Sequence, residues 1–295
     1  MALSIHTNYS SLVTQTNLSK TNNALSTNQQ RLGTGFRVNS AADDAAGLQI
    51  AVRLNSQSRG MEVAIRNTGD SISLLQTAEG AFNEMTDILQ RMKDLATQGA
   101  NGTNSADDLD SLQAEYDQLG EELANIMDNT SFAGEALFSK DNSAGKFAAA
   151  VDFQIGATCA ETMTLDLTAA GTDAIQTLTD ALDGMSTVYT AGSAATAGTE
   201  LTGAANATID LVKTALDAVG TLRSQFGATI NRLNHTANNL ANMKDNTDMS
   251  KGRIMDADFA QESANMSKNS MLMQSGISML KQAGQMPGMV MSLLG

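Results

Sequence analysis

Residues 61–98, MEVAIRNTGDSISLLQTAEGAFNEMTDILQRMKDLATQ, decide the fold. Along them Met61, Ile65, Thr68, Ile72, Leu75, Glu79, Phe82, Met85, Leu89, Met92 and Ala96 recur at alternating steps of four and three. That spacing places one side chain per turn on the same side of an α-helix, and over about five heptads it makes a packing seam. Only Thr68 and Glu79 are weak members of it. Gly99 and Gly102 predict the helix end. Ser105 with Asp108 then reads as a capping box opening a second helix, with Leu109, Leu112, Tyr116, Leu119 and Leu123 on one face.

Far along the chain a matching seam appears. Ile209, Val212, Leu216, Val219, Arg223, Phe226, Ile230, Leu233, Ala237 and Leu240 again alternate three and four, with Leu222 beside Arg223 to fill its gap. The stretches 61–98 and 206–243 are each 38 residues. Each would be roughly 57 Å long as a helix at 1.5 Å per residue, so the two invite antiparallel or bundled packing. Leu18, Leu25 and Leu32 stand seven apart before a break at 33–35, after which Ser40 with Asp43 reads as another capping box. A break around 245–250 is expected to precede a last helix with the narrower stripe Phe259, Ser263, Met266, Ser270, Met273, Ile277 and Leu280. Between the seams, Phe153 and Ile155, then Met163, Leu165 and Leu167, alternate with polar residues across a turn at 156–161, which reads as a β-hairpin. A short helix over 173–182 and an exposed Ala/Gly/Thr-rich loop over 190–205 complete the pattern. The fold class is mainly α: a long antiparallel coiled-coil or helical-bundle rod from both chain ends, with a small β-hairpin flank.

Composition narrows the function classes. The 295-residue chain is 42% hydrophobic and 4% aromatic, with one Cys, two His and no Trp. A single cysteine excludes an intramolecular disulfide and a multi-cysteine metal site. His6 and His235 lie in no metal-binding spacing, and neither a Gly-rich phosphate loop nor a nucleophile elbow occurs. These residues predict no enzyme, no cofactor and no metal. The net charge of -14 argues against nucleic acid, whose phosphates need a basic face. All 32 acids lie within 43–262, where 13 basic residues leave a net charge of -19. The ends 1–42 and 263–295 contain none, yet both keep apolar periodicity. Such ends are expected to be buried together, among copies of themselves, while the acidic middle faces water. No stretch of about 20 apolar residues is present to span a bilayer, and 1–8 lacks the basic start and apolar run of a secretory signal.

Several segments resemble the bacterial flagellins. Residues 31–47, RLGTGFRVNSAADDAAG, and 76–85, QTAEGAFNEM, are similar to that family's N-terminal signature. Residues 253–260, RIMDADFA, with 265–267, NMS, and 292–294, SLL, resemble its C-terminal domain. The resemblance covers about 1–138 and 206–295 in the family's order. It implies a subunit exported without a cleaved signal, which self-assembles into the extracellular flagellar filament for motility. It also implies a terminal domain, 1–42 with 255–295, lining an inner tube, and a helical rod domain, 43–177 with 206–254, around it. A short variable surface segment, 178–205, is all that remains for outer domains, so the chain reads as a short flagellin of the lateral or minimal kind. The alternative within the same superfamily is a hook–filament junction protein. An enzyme displayed on a filament is disfavoured by the absence of H-E-x-x-H, and a coiled-coil adhesin leaves the terminal signatures unexplained.

Subunit packing is expected to fall on the seam residues Leu18, Leu25, Leu32, Ile72, Leu75, Phe82, Leu89, Phe226, Ile230, Leu233, Phe259, Met266, Met273, Ile277 and Leu280. The partners implied are neighbouring flagellin subunits, the filament cap and junction proteins, and a flagellar export chaperone at the C-terminal segment. Ten of the 17 Met lie within 243–295, an adaptable face suited to changing partners. Residues 90–98, QRMKDLATQ, with Glu115 in 112–115, LQAE, resemble the flagellin segment read by a host Toll-like receptor. The contact residues there would be Gln90, Arg91, Leu95, Gln98 and Glu115; charged residues on helix faces are equally read as solvated surface. Cys159 lies at the hairpin turn with nothing nearby to activate it.

Overall fold

The computed structural model describes residues 8–140, 144–168, 173–191 and 198–294. Seven α-helices occur among them: α1 (Tyr9–Thr34), α2 (Ala45–Gly99), α3 (Ala106–Asn129), α4 (Ala174–Met185), α5 (Thr187–Ala191), α6 (Glu200–Met255) and α7 (Phe259–Leu294). Two small antiparallel pairs, β1 (Ser131–Phe132) with β2 (Glu135–Ala136) and β3 (Val151–Gln154) with β4 (Thr162–Leu165), and a single 3-10 turn at Lys146–Ala148 complete the described elements. The fold is mainly helical, with long helices from both ends, as the seams predict. The chain forms two compact units, Met1–Ser58 with Asp245–Gly295 and Arg59–Lys244.

The larger unit owns the hydrophobic core. Helix α2 contributes Leu75, Phe82, Met85, Leu89, Met92 and Leu95, and α6 contributes Val212, Val219, Leu222, Phe226 and Leu233, all buried. At its centre four phenylalanine rings close a circuit. Phe82 lies 4.9 Å from Phe138 and 5.5 Å from Phe226, and Phe147 lies 5.5 Å from Phe138 and 5.3 Å from Phe226. Tilted and offset rings at this separation add to the area they bury. The hairpin pairs Val151 with Leu165 and Phe153 with Met163, so Phe153, Met163 and Leu165 enter the core as the alternation predicts. Its turn approaches α2 at Gly60, where a Cβ would stand 2.6 Å from that of Ala157. Gly145 is similarly constrained, with the backbone of Leu137 and Phe138 within 2.9 Å of where its Cβ would be.

Three features differ from the sequence reading, and a fourth was not read at all. First, Ser40 and Asp43 hydrogen-bond to each other at 3.0 Å but close a turn, and Asp44 instead caps α2 by accepting from the Gly47 N–H at 2.8 Å. Second, no break falls at 245–250, because that stretch has no Gly or Pro to stop a helix and α6 runs on to Met255. The break comes at 256–258, where Asp258 accepts from the Ala260 and Gln261 N–H groups and starts α7. Third, the residues expected as a variable surface segment are partly core: Leu178, Leu182, Met185, Tyr189 and Leu201 are buried. The short helix expected over 173–182 is the amphipathic α4, and the acid Asp173 caps it by accepting from the Gln176 N–H. Of the loop expected over 190–205, residues 192–197 lie outside the described residues, while α6 already begins at Glu200 and departs from helical geometry at Ala204. Fourth, Gln113 ties this region down. Its amide donates to Asp117 and Glu200, both at 2.7 Å, and its oxygen accepts from the Leu201 N–H at 2.7 Å.

In the smaller unit α1 and α7 pack antiparallel. Asn8, the cap of α1, donates to the Ala283 carbonyl at 2.6 Å, and at the other end Phe36 and Asp256 form an isolated β-bridge. The two chain breaks are thereby joined. The Arg37 N–H donates to the Met255 carbonyl at 2.7 Å and the Ala257 N–H to the Gly35 carbonyl at 2.9 Å. Gly35 ends α1 at φ 75°, a left-handed conformation that a residue with a Cβ resists.

Candidate assembly interface

The described part of the smaller unit has almost no core of its own. Its only buried apolar side chains are Val38, Ala51 and Ala283. Large apolar groups instead face outward: Tyr9, Leu12, Phe259, Met271 and Met279 are each 58% to 68% exposed. Val13, Leu272 and Ile277 join them on the same two helices. Each helix thus packs one side against the other and carries further apolar side chains that nothing among the described residues covers. So many exposed large apolar groups on one pair of helices mark an interaction site.

The expected packing residues divide by location. Leu18, Leu25, Leu32, Met266, Met273 and Leu280 are half-buried along the α1–α7 pair, while Phe259 and Ile277 are exposed. Leu75, Phe82, Leu89, Phe226 and Leu233 are fully buried in the core of the larger unit, and Ile72 and Ile230 pack against it. In the single chain these seven face inward rather than toward a neighbour. A seam records that a helix is covered on one face, and here α3, the hairpin and α4 supply the cover within the same chain.

Two features escaped sequence reasoning. Met271, Leu272 and Met279 lie off the stripe and are exposed on α7, a placement that the Met-rich composition of 243–295 did not specify. A half-buried polar cluster also joins the helices, where Arg31 Nη1 lies 3.1 Å from Glu262 Oε1. Its one sequence signal is that Glu262 is the last acid before the acid-free tail. Between α1 and α2 the turn is held electrostatically, and the Asp43 carboxyl titrates below its usual range because it accepts hydrogen bonds from Ser40 and from the Asn39 N–H. Nearby, Phe36, Leu48, Ala51, Val52 and Met255 line an open, mainly apolar groove of about 280 Å³. Among the described residues no group of His, Cys, Asp and Glu is placed to hold a metal, and Cys159 is exposed.

On the larger unit, Gln90, Arg91, Gln98 and Glu115 are exposed. Arg91 bridges α2 to α3 through Glu115, with Nη2 2.7 Å and Nε 2.8 Å from Oε1. Leu95 points the other way, 1% exposed in the core, so the surface here consists of the other four.

The chain's two helical ends match two family models. One, the bacterial flagellin N-terminal helical region, matches residues 5–143, and the other, the C-terminal helical region, matches 209–294. The chain belongs to the bacterial flagellin family. Over the whole of both chains it is 37% identical to Flagellin A of Vibrio anguillarum and 35% identical to polar flagellin C of Vibrio parahaemolyticus. Among solved structures, a crystal structure of Bacillus cereus flagellin is 32% identical at a TM-score of 0.45, covering 59% of this chain and 88% of that one. A putative flagellar hook-associated protein from Vibrio parahaemolyticus is 14% identical at a TM-score of 0.56, covering 72% of this chain and all of its own. At that identity the second likeness speaks to fold alone. The flagellin is a structural subunit that assembles with other flagellar proteins into the bacterial filament. No described helix is long and apolar enough to cross a membrane.

Proposed function

We propose that this flagellin polymerises through its terminal unit and that the unit folds fully only as it is incorporated. The observation that carries this is the contrast between three small buried apolar residues and the many large apolar side chains that α1 and α7 leave exposed. Ordering a residue costs ~1–2 kcal/mol, and a pair of helices with so little buried area does not offset that alone. Neighbouring subunits covering Tyr9, Leu12, Met271 and Met279 supply the missing burial, at ~25 cal/mol per Å² of apolar area. On this reading 1–42 and 255–295 line the inner tube, and their acid-free stretches 1–42 and 263–295 avoid like-charge repulsion where chains crowd most closely. The acidic remainder lies at larger radius, and the chain is exported to the cell exterior as a secreted filament protein. Before export the same Met-rich face of α7 suits a chaperone, since flexible thioethers repack against different partners.

The test is assembly seeded with filament fragments and viewed by negative-stain electron microscopy. Full chain should grow long filaments, whereas a truncation ending at 258 should not, while keeping the cooperative unfolding of the larger unit. Filaments from the truncation would refute the proposal. Short, self-limiting oligomers from the full chain would favour a junction protein.

The exposed Gln90, Arg91, Gln98 and Glu115 also form a surface that a host Toll-like receptor can read, with Leu95 anchoring the helix beneath. Arg91→Ala should lower reporter-cell activation at least several-fold without changing the chain's unfolding; undiminished activation would remove this role.

A further inference from the structure

The apolar contact between α1 and α7 does not by itself choose an alignment. Leu18, Leu25 and Leu32 repeat every seven residues on α1, and Met266, Met273 and Leu280 repeat every seven on α7. The observed pairing runs from Asn8 beside Ala283 to Arg37 beside Met255, with Leu18 near Gly276, where a Cβ would stand 3.3 Å from Leu18 Cδ1. Sliding one helix by seven residues sets leucines against the methionine stripe again. Such a stripe accepts several alignments about equally, as in a strict heptad repeat.

The polar residues do not. Glu262 is the only acid in α7 and is 8% exposed. Its Oε1 accepts from Arg31 Nη1 at 3.1 Å. In the amide orientation that satisfies all partners, Asn28 Nδ2 donates to Glu262 Oε2 at 3.2 Å and Asn28 Oδ1 accepts from Asn269 Nδ2 at 3.1 Å. A slide of one heptad brings Ala24 to the position of Arg31, or in the other direction runs past the end of α1 at Thr34, and either leaves the carboxylate buried without its cation. Burying an unpaired charge is far more costly than moving a leucine from one methionine to the next.

We propose that Asn28, Arg31, Glu262 and Asn269 form a register lock, a half-buried polar cluster that selects one heptad alignment of α1 on α7. These are positioning residues: they reject the shifted alignments more than they strengthen the correct one. A polar group in an otherwise apolar seam has that effect, at some cost in stability. The proposal needs only the α1–α7 pairing.

Disulfide trapping in filaments tests it, in a Cys159→Ser background with the modified chain as a small minority among unmodified ones, so that cross-links form within a chain. Leu18→Cys with Gly276→Cys reports the observed alignment. Leu18→Cys with Ala283→Cys, and Ser11→Cys with Gly276→Cys, report slides of one heptad in either direction. With the cluster intact, the 18–276 disulfide should exceed either shifted pair by about tenfold or more. Arg31→Leu with Glu262→Leu should bring the three pairs to comparable yield, and the charge swap Arg31→Glu with Glu262→Arg should restore the preference. An unchanged preference in the double-leucine variant would overturn the lock, as would an intact chain that fails to form the 18–276 disulfide. If the single change Arg31→Glu is excluded from filaments, admission of the charge swap supports the lock and its exclusion counts against it.

Discussion

Single side chains carry consequences beyond the area they bury. Tyr116 is fully buried, and its hydroxyl donates to the Met185 carbonyl at 2.9 Å, tying α3 to the end of α4. Burial first, and then the nearby charges of Glu200 and Asp117, push its pKa far above the ordinary value. The unfolded chain therefore releases this proton near pH 10 while the folded chain keeps it. The unfolded state then binds fewer protons, so stability falls as pH rises past about 10. Tyr116→Phe should flatten that alkaline decline in urea-melt titrations, at the cost of about 1–3 kcal/mol near neutral pH for the orphaned carbonyl. A decline of unchanged slope would assign it to other groups. Truncation in the phenyl circuit acts through packing alone: Phe82→Ala or Phe226→Ala should cost about 3–5 kcal/mol by the same melts. Phe82 and Phe226 were legible as core candidates from their seams. Phe138 and Phe147 were not, because one sits in irregular chain and the other in a single 3-10 turn, with no periodicity to mark them.

Elements were legible wherever local chemistry starts or stops them. Ser105 and Asp108 form the reciprocal box that their spacing announces, and the Ser105 hydroxyl and N–H lower the pKa of the Asp108 carboxyl. A carboxyl depressed in the native state contributes stability above its unfolded pKa and loses it as pH falls through its folded one. Asp108→Asn should accordingly make the acid side of the stability profile less steep; an unaltered acid limb would show that the box contributes little. At 245–250 the same reasoning failed, since a run of Asp, Asn, Thr and Ser lowers helix propensity without ending a helix that packing holds. Ser40 with Asp43 misled for a different reason: two capping carboxylates, Asp43 and Asp44, follow each other, and spacing alone does not say which meets the helix. The hairpin's alternation was legible, but its seat on α2 was not. Gly60→Ala should push the 156–161 turn away from the helix, read as faster amide exchange across β3 and β4. Unchanged exchange there would mean that Ala157 shifts freely.

At the scale of the chain, the uneven distribution of acids and of buried residues points in one direction. The larger unit carries the Phe circuit, the hairpin and α4, while the described smaller unit buries three small apolar residues and exposes a row of large ones. Family and helical ends were legible because the signatures at 31–47 and 253–260 sit where the chain must turn, and the Phe36–Asp256 bridge joins them. Which seams serve the chain itself and which serve neighbours was not legible, because a heptad specifies a covered face and not its partner. The central claim, that the terminal unit completes its folding on incorporation, is tested most directly by hydrogen–deuterium exchange of monomer and filament, followed peptide by peptide. The account predicts that amides of α1 and α7 exchange rapidly in the monomer and become protected in the filament, while those of the seam 61–98 are protected in both. Equal protection of α1 and α7 in the two states would contradict it.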